Sequence, residues 1–352
     1  MNTPSLSIVV PVYRSEQSLP ELVSRVSAMM DRWPAAAELI LVEDGGPDQS
    51  WSLICSMATA DTRIRGMRHS RNYGQHNALL TGIRAARHDV LVTLDDDLQN
   101  PPEEIPRLVA ALAQDHDVVY GTPDKGQHGF SRGLASRITK VALQSAMGAR
   151  TARNASAFRA FRTELRNAFS SYDNPNVLLD VLLTWGTSRF GAITVRHDER
   201  RLGQSNYTLY KLIRHAINMG TGFSVLPLQI ASLIGFFFTL FGMGLLVYVV
   251  GGYLIRGTTV AGFPFLASII ALFSGAQMFA LGIIGEYLAR IHLRSMGQPM
   301  ALVRECTTDM AGAPDGVSRL IPAGSHGFQA PGAQCPDQRS GCDLQPGTDR
   351  DR

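Results

Sequence analysis

The first part of the chain alternates short apolar runs with segments in which apolar residues recur at helical spacing. Runs that are apolar almost throughout predict strands, and the segments between them predict helices. The predicted strands are Leu6–Val12, Glu38–Val42, Ile64–His69, Val90–Leu94 and Val118–Tyr120. The predicted helices are Leu19–Arg32, Gln49–Ala58, His76–Ala86 and Pro102–Ala113. Strands that alternate with helices indicate an α/β fold with a mostly parallel sheet, in which ligands bind beyond the carboxyl ends of the strands.

Two long segments nearer the C-terminus lack charge altogether. Residues 216–255 and 257–285 contain no Asp, Glu, Lys, Arg or His. A helix needs ~20 apolar residues to cross the hydrocarbon core of a bilayer, and both segments are longer than that. We therefore predict transmembrane helices over Val225–Leu254 and Phe263–Ile284, joined by the turn Arg256–Gly262. At these lengths a buried hairpin of a soluble protein is the weaker alternative.

These patterns divide the chain into three predicted parts. They are an α/β domain over residues 1–222, a transmembrane hairpin over 223–290 and a tail over 291–352. From Thr307 onward the tail is rich in Gly, Pro, Asp and Ser and has few large apolar residues, so the tail is predicted to be largely disordered. The first part is expected to continue in helices after its strands, and those near 130–148 and 207–222 mix basic with apolar side chains. That mixture is typical of helices lying on a membrane surface, although packing against the sheet would also require it.

Basic residues predict the orientation of the hairpin. Lys211 and Arg214 precede the first span, Arg290 and Arg294 follow the second, and the connecting turn has a single arginine. The positive-inside rule therefore places the α/β domain and both termini in the cytoplasm, with the chain passing twice through the inner membrane. The segment Met1–Ser5 carries no basic residue and a strand-like run follows at once, so no signal peptide is expected.

Composition and charge exclude several classes of protein. Hydrophobic residues make up 45% of the chain and charged residues 18%, below the ~25% typical of soluble proteins. A wholly soluble chain and a wholly disordered chain are both excluded. The net charge of +3, from 33 Lys and Arg against 30 Asp and Glu, is too balanced to indicate nucleic-acid binding. The four cysteines show no metal-ligand spacing and predict neither a zinc site nor a disulfide framework.

Three consecutive carboxylates follow the fourth predicted strand. Asp95, Asp96 and Asp97 come directly after Val90–Leu94 and before a predicted helix. Adjacent acids repel one another, and a divalent cation such as Mg²⁺ or Mn²⁺ would neutralise them. On an extended segment alternate residues point the same way, so Asp95, Asp97 and Gln99 are expected to share a side. A solvated acidic helix N-terminus is the alternative.

Two further candidate sites also follow predicted strands. In Glu43–Gly46 the two glycines allow a tight turn that would leave Asp44 free at the sheet edge to bind a base or a ribose. Ordinary Asp-Gly turn chemistry is the alternative. The segment Val10–Glu16 ends the first strand, and neither a Gly-x-Gly-x-x-Gly nor a Walker sequence follows it, which disfavours a dinucleotide or P-loop site.

These motifs together resemble a known family. Val10–Tyr13, Glu43–Gly46, Arg71–Gly74 and Asp95–Glu103 resemble the inverting family 2 glycosyltransferases of the GT-A fold. The later segments Arg200–Tyr207 and Ile284–Leu288 resemble those that act on polyprenyl phosphates, namely bactoprenol glucosyltransferases, dolichol-phosphate mannose synthases and aminoarabinose transferases. The resemblance covers residues from about Ser5 to Glu305 and implies a Rossmann-like GT-A domain followed by two transmembrane helices.

The resemblance also implies roles for individual residues. The resemblance implies that the nucleotide sugar is bound by Pro11, Tyr13, Glu16, Asp44 and Asp95. It implies that Mg²⁺ or Mn²⁺ is bound by Asp97 and Gln99. It implies that the lipid phosphate is bound by Arg132, Ser136, Arg200 and Ser205. The catalytic residues are Asp95, Asp97 and Arg200. One departure stands out, because the family's Asp-x-Gly-Asp-Phe-Arg is replaced here by Asn154–Arg159, which lacks both acids. A phosphate acceptor with a second pKa of about 6 is largely dianionic at neutral pH and can attack without a general base.

The implied activity is inverting transfer of a sugar from a nucleotide diphosphate, with UDP favoured, to undecaprenyl or another polyprenyl phosphate at the cytoplasmic leaflet. The product would be a lipid-linked sugar for a cell-envelope glycan or a lipid modification. The resemblance also implies a homo-oligomer, a tetramer. One alternative is a processive polysaccharide synthase, which carries Gln-x-x-Arg-Trp, a pattern absent before Trp33, Trp51 and Trp185. The other is a non-catalytic subunit that scaffolds or flips glycolipids.

Overall fold

A computed structural model describes most of the α/β domain and both long apolar segments. The described residues are 3–112, 115–123, 154–174, 177–198, 226–256, 263–296 and 299–307. Their strands are β1 (Leu6–Val12), β2 (Ala37–Glu43), β3 (Ile64–His69), β4 (Val90–Thr93), β5 (Val118–Thr122), β6 (Arg159–Arg162), β7 (Phe190–Thr194) and β8 (Val303–Cys306). Their helices are α1 (Leu19–Asp31), α2 (Ser50–Ala60), α3 (Gln75–Ala85), α4 (Ile105–Leu112), α5 (Leu179–Gly186), α6 (Leu226–Arg256) and α7 (Phe263–Ser295), with 3₁₀ turns at Pro102–Glu104 and Thr163–Phe169.

The strands form one mixed sheet in the order β7-β5-β6-β4-β1-β2-β3-β8. Strand β1 pairs in parallel with β2 and β4, β2 with β3, and β5 with β7. Strand β6 runs antiparallel between β4 and β5, and β8 runs antiparallel along β3. The predicted mostly parallel α/β sheet is therefore confirmed, and the carboxyl ends of β1, β2 and β4 lie side by side.

Two apolar layers cover the sheet, which explains why its central strands are apolar throughout. Every residue of β1 is buried. Ile8 and Val10 pack in the layer that contains residues of α1 and α4, whereas Val9 packs in the layer that contains residues of α3 and α5. Alternate side chains of a strand point to opposite faces, so a strand covered on both sides needs apolar residues at every position.

The helical expectation for the region after β5 is partly wrong. The described part of that region contains β6 and β7 as well as helix α5. Strand β6 escaped the sequence pattern because it is four residues long and begins and ends with arginine. Arg159 is nevertheless buried, since its guanidinium pairs with Asp180 at the start of α5. The predicted interfacial helices near 130–148 and 207–222 lie outside the described residues.

The chain just after the predicted hairpin is ordered up to the segment from Thr307 onward, for which the composition predicts disorder. Helix α7 continues to Ser295, and after it the chain returns to the sheet as β8. Met300, Ala301 and Val303 are buried there. The order has a simple physical cause, because these apolar side chains and the backbone of β8 cover the otherwise unpaired edge of β3. The rest of the tail, from residue 308, lies outside the described residues.

Helices α6 and α7 are long and apolar enough to cross a membrane. They pack against each other, and the rings of Phe238 and Phe273 meet edge to face at 5.7 Å between centroids. Large apolar side chains project from both helices into the surroundings, among them Phe237 and Phe279. An apolar surface of this size is typical of a membrane or partner interface rather than of a soluble protein. The predicted spans coincide with these helices, although α7 extends beyond the predicted end.

Candidate active site

The ends of three parallel strands meet around one cavity. Its volume is about 300 Å³, and it is lined by Pro11, Val12, Tyr13, Asp44, Asn72, Gly74, Gln75, Asp95, Asp96 and Asp97. A second cavity of about 500 Å³ shares Tyr13, Asp96 and Asp97 with the first and extends to Arg14, Glu16 and Asp48. The structure thus brings together all the described residues predicted to bind the nucleotide sugar. They meet because the carboxyl ends of neighbouring parallel strands lie at one edge of the sheet.

Cavity size alone would have pointed elsewhere. A cavity of about 1110 Å³ lies between α1 and α4, lined in part by Arg25, Trp33, His88 and Glu103. Arg25 and Glu103 neutralise each other there, with 2.7 Å between Nη2 and Oε2. The carboxylates directly after β2 and β4 do not line this cavity, namely Asp44, Asp95, Asp96 and Asp97. The smaller cavity is therefore the candidate active site on the grounds of its chemistry.

The three consecutive aspartates have different environments. Asp96 accepts hydrogen bonds from the backbone N–H of Tyr13 at 3.2 Å and from the hydroxyl of Ser15, so it fastens the end of β1. Burial raises its pKa. Asp95 accepts a hydrogen bond at 2.7 Å from the amide of Gln75, the first residue of α3. Sequence reasoning gave neither Asp96 nor Gln75 a separate role.

The segment after β4 turns instead of running extended, so the expected alternation is wrong. Leu98 has a φ of +62°, and the backbone N–H of Gln99 donates to Asp97 Oδ1 at 3.1 Å. Asp95 and Asp97 both line the cavity as expected, but Asp96 lines it too, and Gln99 lines neither cavity. A side-chain-to-backbone bond over two residues is a common way for aspartate to stabilise a turn.

The donor atoms of this segment fit a divalent cation. Burial, and after it the charges of Asp97 and Asp96, raise the pKa of Asp95 to about 7. The cavity therefore carries more negative charge than the surrounding protein groups neutralise. Among the described residues, no three Asp, Glu, His or Cys side chains form a ready-made metal cage. Mg²⁺ is commonly bound by only one or two protein carboxylates, and substrate phosphates complete its coordination.

Asp44 is buried, contrary to the expectation that it lies free at the sheet edge. It is 2% exposed and accepts hydrogen bonds from the backbone N–H groups of Tyr73 at 2.9 Å and Gly74 at 2.7 Å. The cause is the turn after it. Gly45 has a φ of +65°, and a Cβ there would overlap the backbone of Arg71, so the turn packs directly on the loop that Asp44 holds. Asp44 still forms part of the cavity wall.

A histidine behind Asp44 was missed by sequence reasoning. His69 Nδ1 lies 2.8 Å from Asp44 Oδ1, and His69 is the last residue of β3. The available signal was its position, because it too ends a parallel strand at the carboxyl edge. Nothing in the sequence separates His69 from the buried residues of the strand Ile64–His69 in which it lies.

The remaining predicted residues at the end of β1 border the second cavity. Tyr13 is 42% exposed, and the guanidinium of Arg14 lies 5.3 Å from the centre of its ring. Glu16 accepts a hydrogen bond from the backbone N–H of Gln49 at 2.9 Å, so it also holds the start of α2. The residues predicted to bind the lipid phosphate, Arg132, Ser136, Arg200 and Ser205, lie outside the described residues.

Comparisons with known proteins identify the family. The family model described as glycosyl transferase family 2 matches residues 7–169. The undecaprenyl-phosphate 4-deoxy-4-formamido-L-arabinose transferase of Sodalis glossinidius is 34% identical over 307 residues, which cover 86% of this chain and 94% of that protein. The Yersinia pestis protein of the same name is 35% identical over 303 residues, covering 85% and 93%.

A weaker likeness is found among solved structures. Glucosyl-3-phosphoglycerate synthase from Mycobacterium tuberculosis is 20% identical with a TM-score of 0.46, over 61% of this chain and 78% of that one. The decisive finding is the sequence match over nearly the whole length of the two transferases. It agrees with the motifs at the ends of β1, β2 and β4 and with the family resemblance predicted from them. The chain belongs to glycosyltransferase family 2.

Proposed function

We propose that this glycosyltransferase moves a sugar from a nucleoside diphosphate, with UDP favoured, to a polyprenyl phosphate at the cytoplasmic face of the inner membrane. One observation carries the proposal: the carboxylates after β4 share a cavity with Tyr13 and Asp44 in a chain that continues into two long apolar helices. The relatives at 34–35% identity are named for undecaprenyl phosphate, which supports a lipid acceptor.

The cavity offers distinct contacts for the two ends of a nucleotide sugar. The exposed ring of Tyr13 provides an apolar face on which a base can stack. Among the described residues, Asp44 Oδ2 accepts one hydrogen bond, from Gly74, and a carboxylate oxygen can accept two, so it retains capacity for a base or ribose donor. Asp95 lines the same cavity, and we propose that the sugar lies beside it.

A divalent cation completes the proposed donor site. Asp97, with Asp95 nearby, would hold Mg²⁺ or Mn²⁺ together with the diphosphate. Gln99 lines neither cavity, so its proposed part in the metal site rests on the family resemblance alone. When bound, the cation takes up negative charge that develops on the departing diphosphate. Asp96 keeps the end of β1 in place through its hydrogen bonds to Tyr13 and Ser15. Gln75 orients Asp95 through its amide.

The acceptor phosphate performs the displacement without a protein base. An oxygen of its dianion attacks the anomeric carbon while the bond from that carbon to the diphosphate breaks, which inverts the configuration. Arg132, Ser136, Arg200 and Ser205 are proposed to hold this phosphate in line, since arginine binds phosphate oxygens in pairs. The absence of acids in Asn154–Arg159 is compatible with this step, because a phosphate monoester is largely dianionic at neutral pH.

The remaining parts of the proposal concern location and assembly. Both termini and the α/β domain would lie in the cytoplasm, with α6 and α7 as the two spans. Confinement of enzyme and lipid to one surface raises the effective concentration of the acceptor. A homotetramer is proposed on the family resemblance alone.

Transfer by the purified full chain in detergent tests the function. Undecaprenyl phosphate would be supplied with radiolabelled UDP-glucose, UDP-GlcNAc, GDP-mannose or UDP-linked 4-deoxy-4-formamido-L-arabinose, the sugar named for the relatives. We expect one of these donors to give a lipid-linked sugar. Asp97→Asn is the matched control, because it keeps the side-chain size and removes the charge. Nucleotide binding without transfer from any donor would contradict the proposal and favour a non-catalytic scaffold.

A further inference from the structure

His69 lies between the donor cavity and helix α3 and is held from both sides. It is 1% exposed, and its ring nitrogens face Asp44 Oδ1 at 2.8 Å and Thr81 Oγ1 at 3.0 Å. The ring of Tyr73 meets it edge to face, with 5.5 Å between centroids. A buried imidazole with partners at both nitrogens has one orientation, so it can fix the position of the groups that it contacts.

Each ring nitrogen of His69 has its own partner. Nδ1 donates to Asp44 Oδ1, because a carboxylate oxygen accepts hydrogen bonds. Nε2 faces the Thr81 hydroxyl, which also lies 3.0 Å from the backbone carbonyl of Asn77 in α3. His69 therefore joins the Asp44 carboxylate to helix α3.

Asp44 connects His69 to the loop that lines the cavity. Besides His69 it binds the N–H groups of Tyr73 and Gly74, which lead directly into Gln75. Gln75 in turn binds Asp95 at 2.7 Å. Hydrogen bonds therefore link α3 through His69 and Asp44 to the backbone of Gly74, and the next residue, Gln75, binds the Asp95 carboxylate in the same cavity.

We propose that His69 is a positioning residue for the donor nucleotide: its ring, fixed by Thr81, holds the Asp44 carboxylate and, through it, the loop that borders the cavity. The inference rests on the proposed function in so far as the cavity binds a nucleoside diphosphate. His69 does not contact the donor. It acts by keeping the Asp44 carboxylate correctly oriented.

Three variants of the full chain in detergent test this role. His69→Gln removes the imidazole and its hydrogen bond to Asp44, Thr81→Val removes the hydroxyl at nearly constant volume, and Thr81→Ser keeps the hydroxyl. The affinity for UDP with Mn²⁺ is measured by calorimetry, and the KM for undecaprenyl phosphate is measured with the donor that supports transfer. We expect roughly 10- to 100-fold weaker UDP binding for His69→Gln, the range typical of a lost charge-assisted hydrogen bond. Thr81→Val should weaken UDP binding in the same direction, whereas Thr81→Ser binding and every KM for the lipid should match wild type.

Two results would overturn the inference. One is wild-type UDP affinity in Thr81→Val, because a residue that only fills space would not depend on that hydroxyl. The other is a ¹⁵N spectrum of histidine-labelled wild type, assigned with His69→Gln, in which Nδ1 of His69 carries no proton and so cannot donate to Asp44. The spectrum needs no nucleotide, so it decides the inference separately from the proposed function. Failure of the wild type to bind UDP or GDP while Nδ1 of His69 is protonated would count against the donor site instead.

Discussion

Replacing Glu38 with glutamine removes the negative member of a buried ion pair that links the first three strands. Glu38 Oε2 lies 2.8 Å from Arg65 Nη1, and both side chains are almost inaccessible to solvent. Glu38 Oε1 accepts from the Ser7 hydroxyl at 2.7 Å and the Arg87 backbone N–H at 2.8 Å. Glutamine can keep the last two bonds but leaves the charge of Arg65 uncompensated inside the protein.

The expected cost is large because of that uncompensated charge. Breaking a buried ion pair by removing one partner typically lowers the free energy of unfolding by about 3–5 kcal/mol. For a domain of roughly 200 residues this corresponds to a fall in Tm of about 6–20 °C. Intrinsic fluorescence is a suitable probe, because Trp33, Trp51 and Trp185 all lie in the α/β domain and none lies in α6 or α7.

The pH dependence gives a second, independent signature. Burial raises the pKa of Glu38, but the hydrogen bonds from Ser7 and Arg65 and the charge of Arg65 outweigh it and hold that pKa below its ordinary value. Folding therefore favours the ionised form. Its stabilising effect is complete above the unfolded pKa of about 4.3 and is lost as the pH falls through the lower folded value. The difference in Tm between wild type and Glu38→Gln should accordingly shrink below about pH 4.

A double variant is the matched control. Glu38→Leu combined with Arg65→Met replaces both charges with apolar groups, and such replacements are often neutral. We expect its Tm to lie closer to wild type than that of Glu38→Gln. A Tm for Glu38→Gln within about 2 °C of wild type, which corresponds to a change of at most about 1 kcal/mol in the free energy of unfolding, would refute the reasoning.

Three further predictions concern the proposed function. Asp97→Ala should abolish transfer, and EDTA should do the same to wild type until Mg²⁺ or Mn²⁺ is restored; full activity in EDTA would contradict the metal site. Arg200→Lys should reduce transfer by roughly 10- to 150-fold with unchanged UDP binding, because lysine loses the paired contact with phosphate. A parallel loss of Tm and UDP affinity would instead make Arg200 structural. A reporter fused after Arg352 should be cytoplasmic and one inserted at Thr258 external, as the positive-inside rule requires, and an external C-terminus would disprove the two-span topology.

The central strands were predictable because burial on both faces is visible in the sequence of each strand alone. A strand that is covered on both faces must be apolar at nearly every position, as in Leu6–Val12, where the predicted and observed bounds agree. Strands β6 and β8 were missed because the partners of their charged residues are distant in sequence. Arg159 pairs with Asp180, and Glu305 binds the indole N–H of Trp51 at 2.9 Å. No local pattern identifies such partners.

The candidate site was predictable in outline for a similar reason. Residues that follow parallel strands meet at one edge, which brings Asp44 and Asp95 together without any knowledge of packing. The directions of their side chains were not predictable. Asp44 points inward because His69 and the backbone N–H groups of Tyr73 and Gly74 bind its carboxylate, and Asp96 is held at the cavity by Tyr13 and Ser15. The hydrogen bond between His69 and Asp44 also depends on the register of β3 against β2.

The return of the chain as β8 also constrains how many times it can cross a bilayer. Only residues 296–302 separate the end of α7 from Val303, which opens the strand paired with β3. Fully extended, that segment reaches about 25 Å, less than the ~30 Å of a hydrocarbon core. A strand cannot exchange backbone hydrogen bonds with a sheet on the opposite side of a membrane. The number of crossings between β3 and β8 must therefore be even, as it is in the proposed arrangement in which α6 and α7 both span the bilayer.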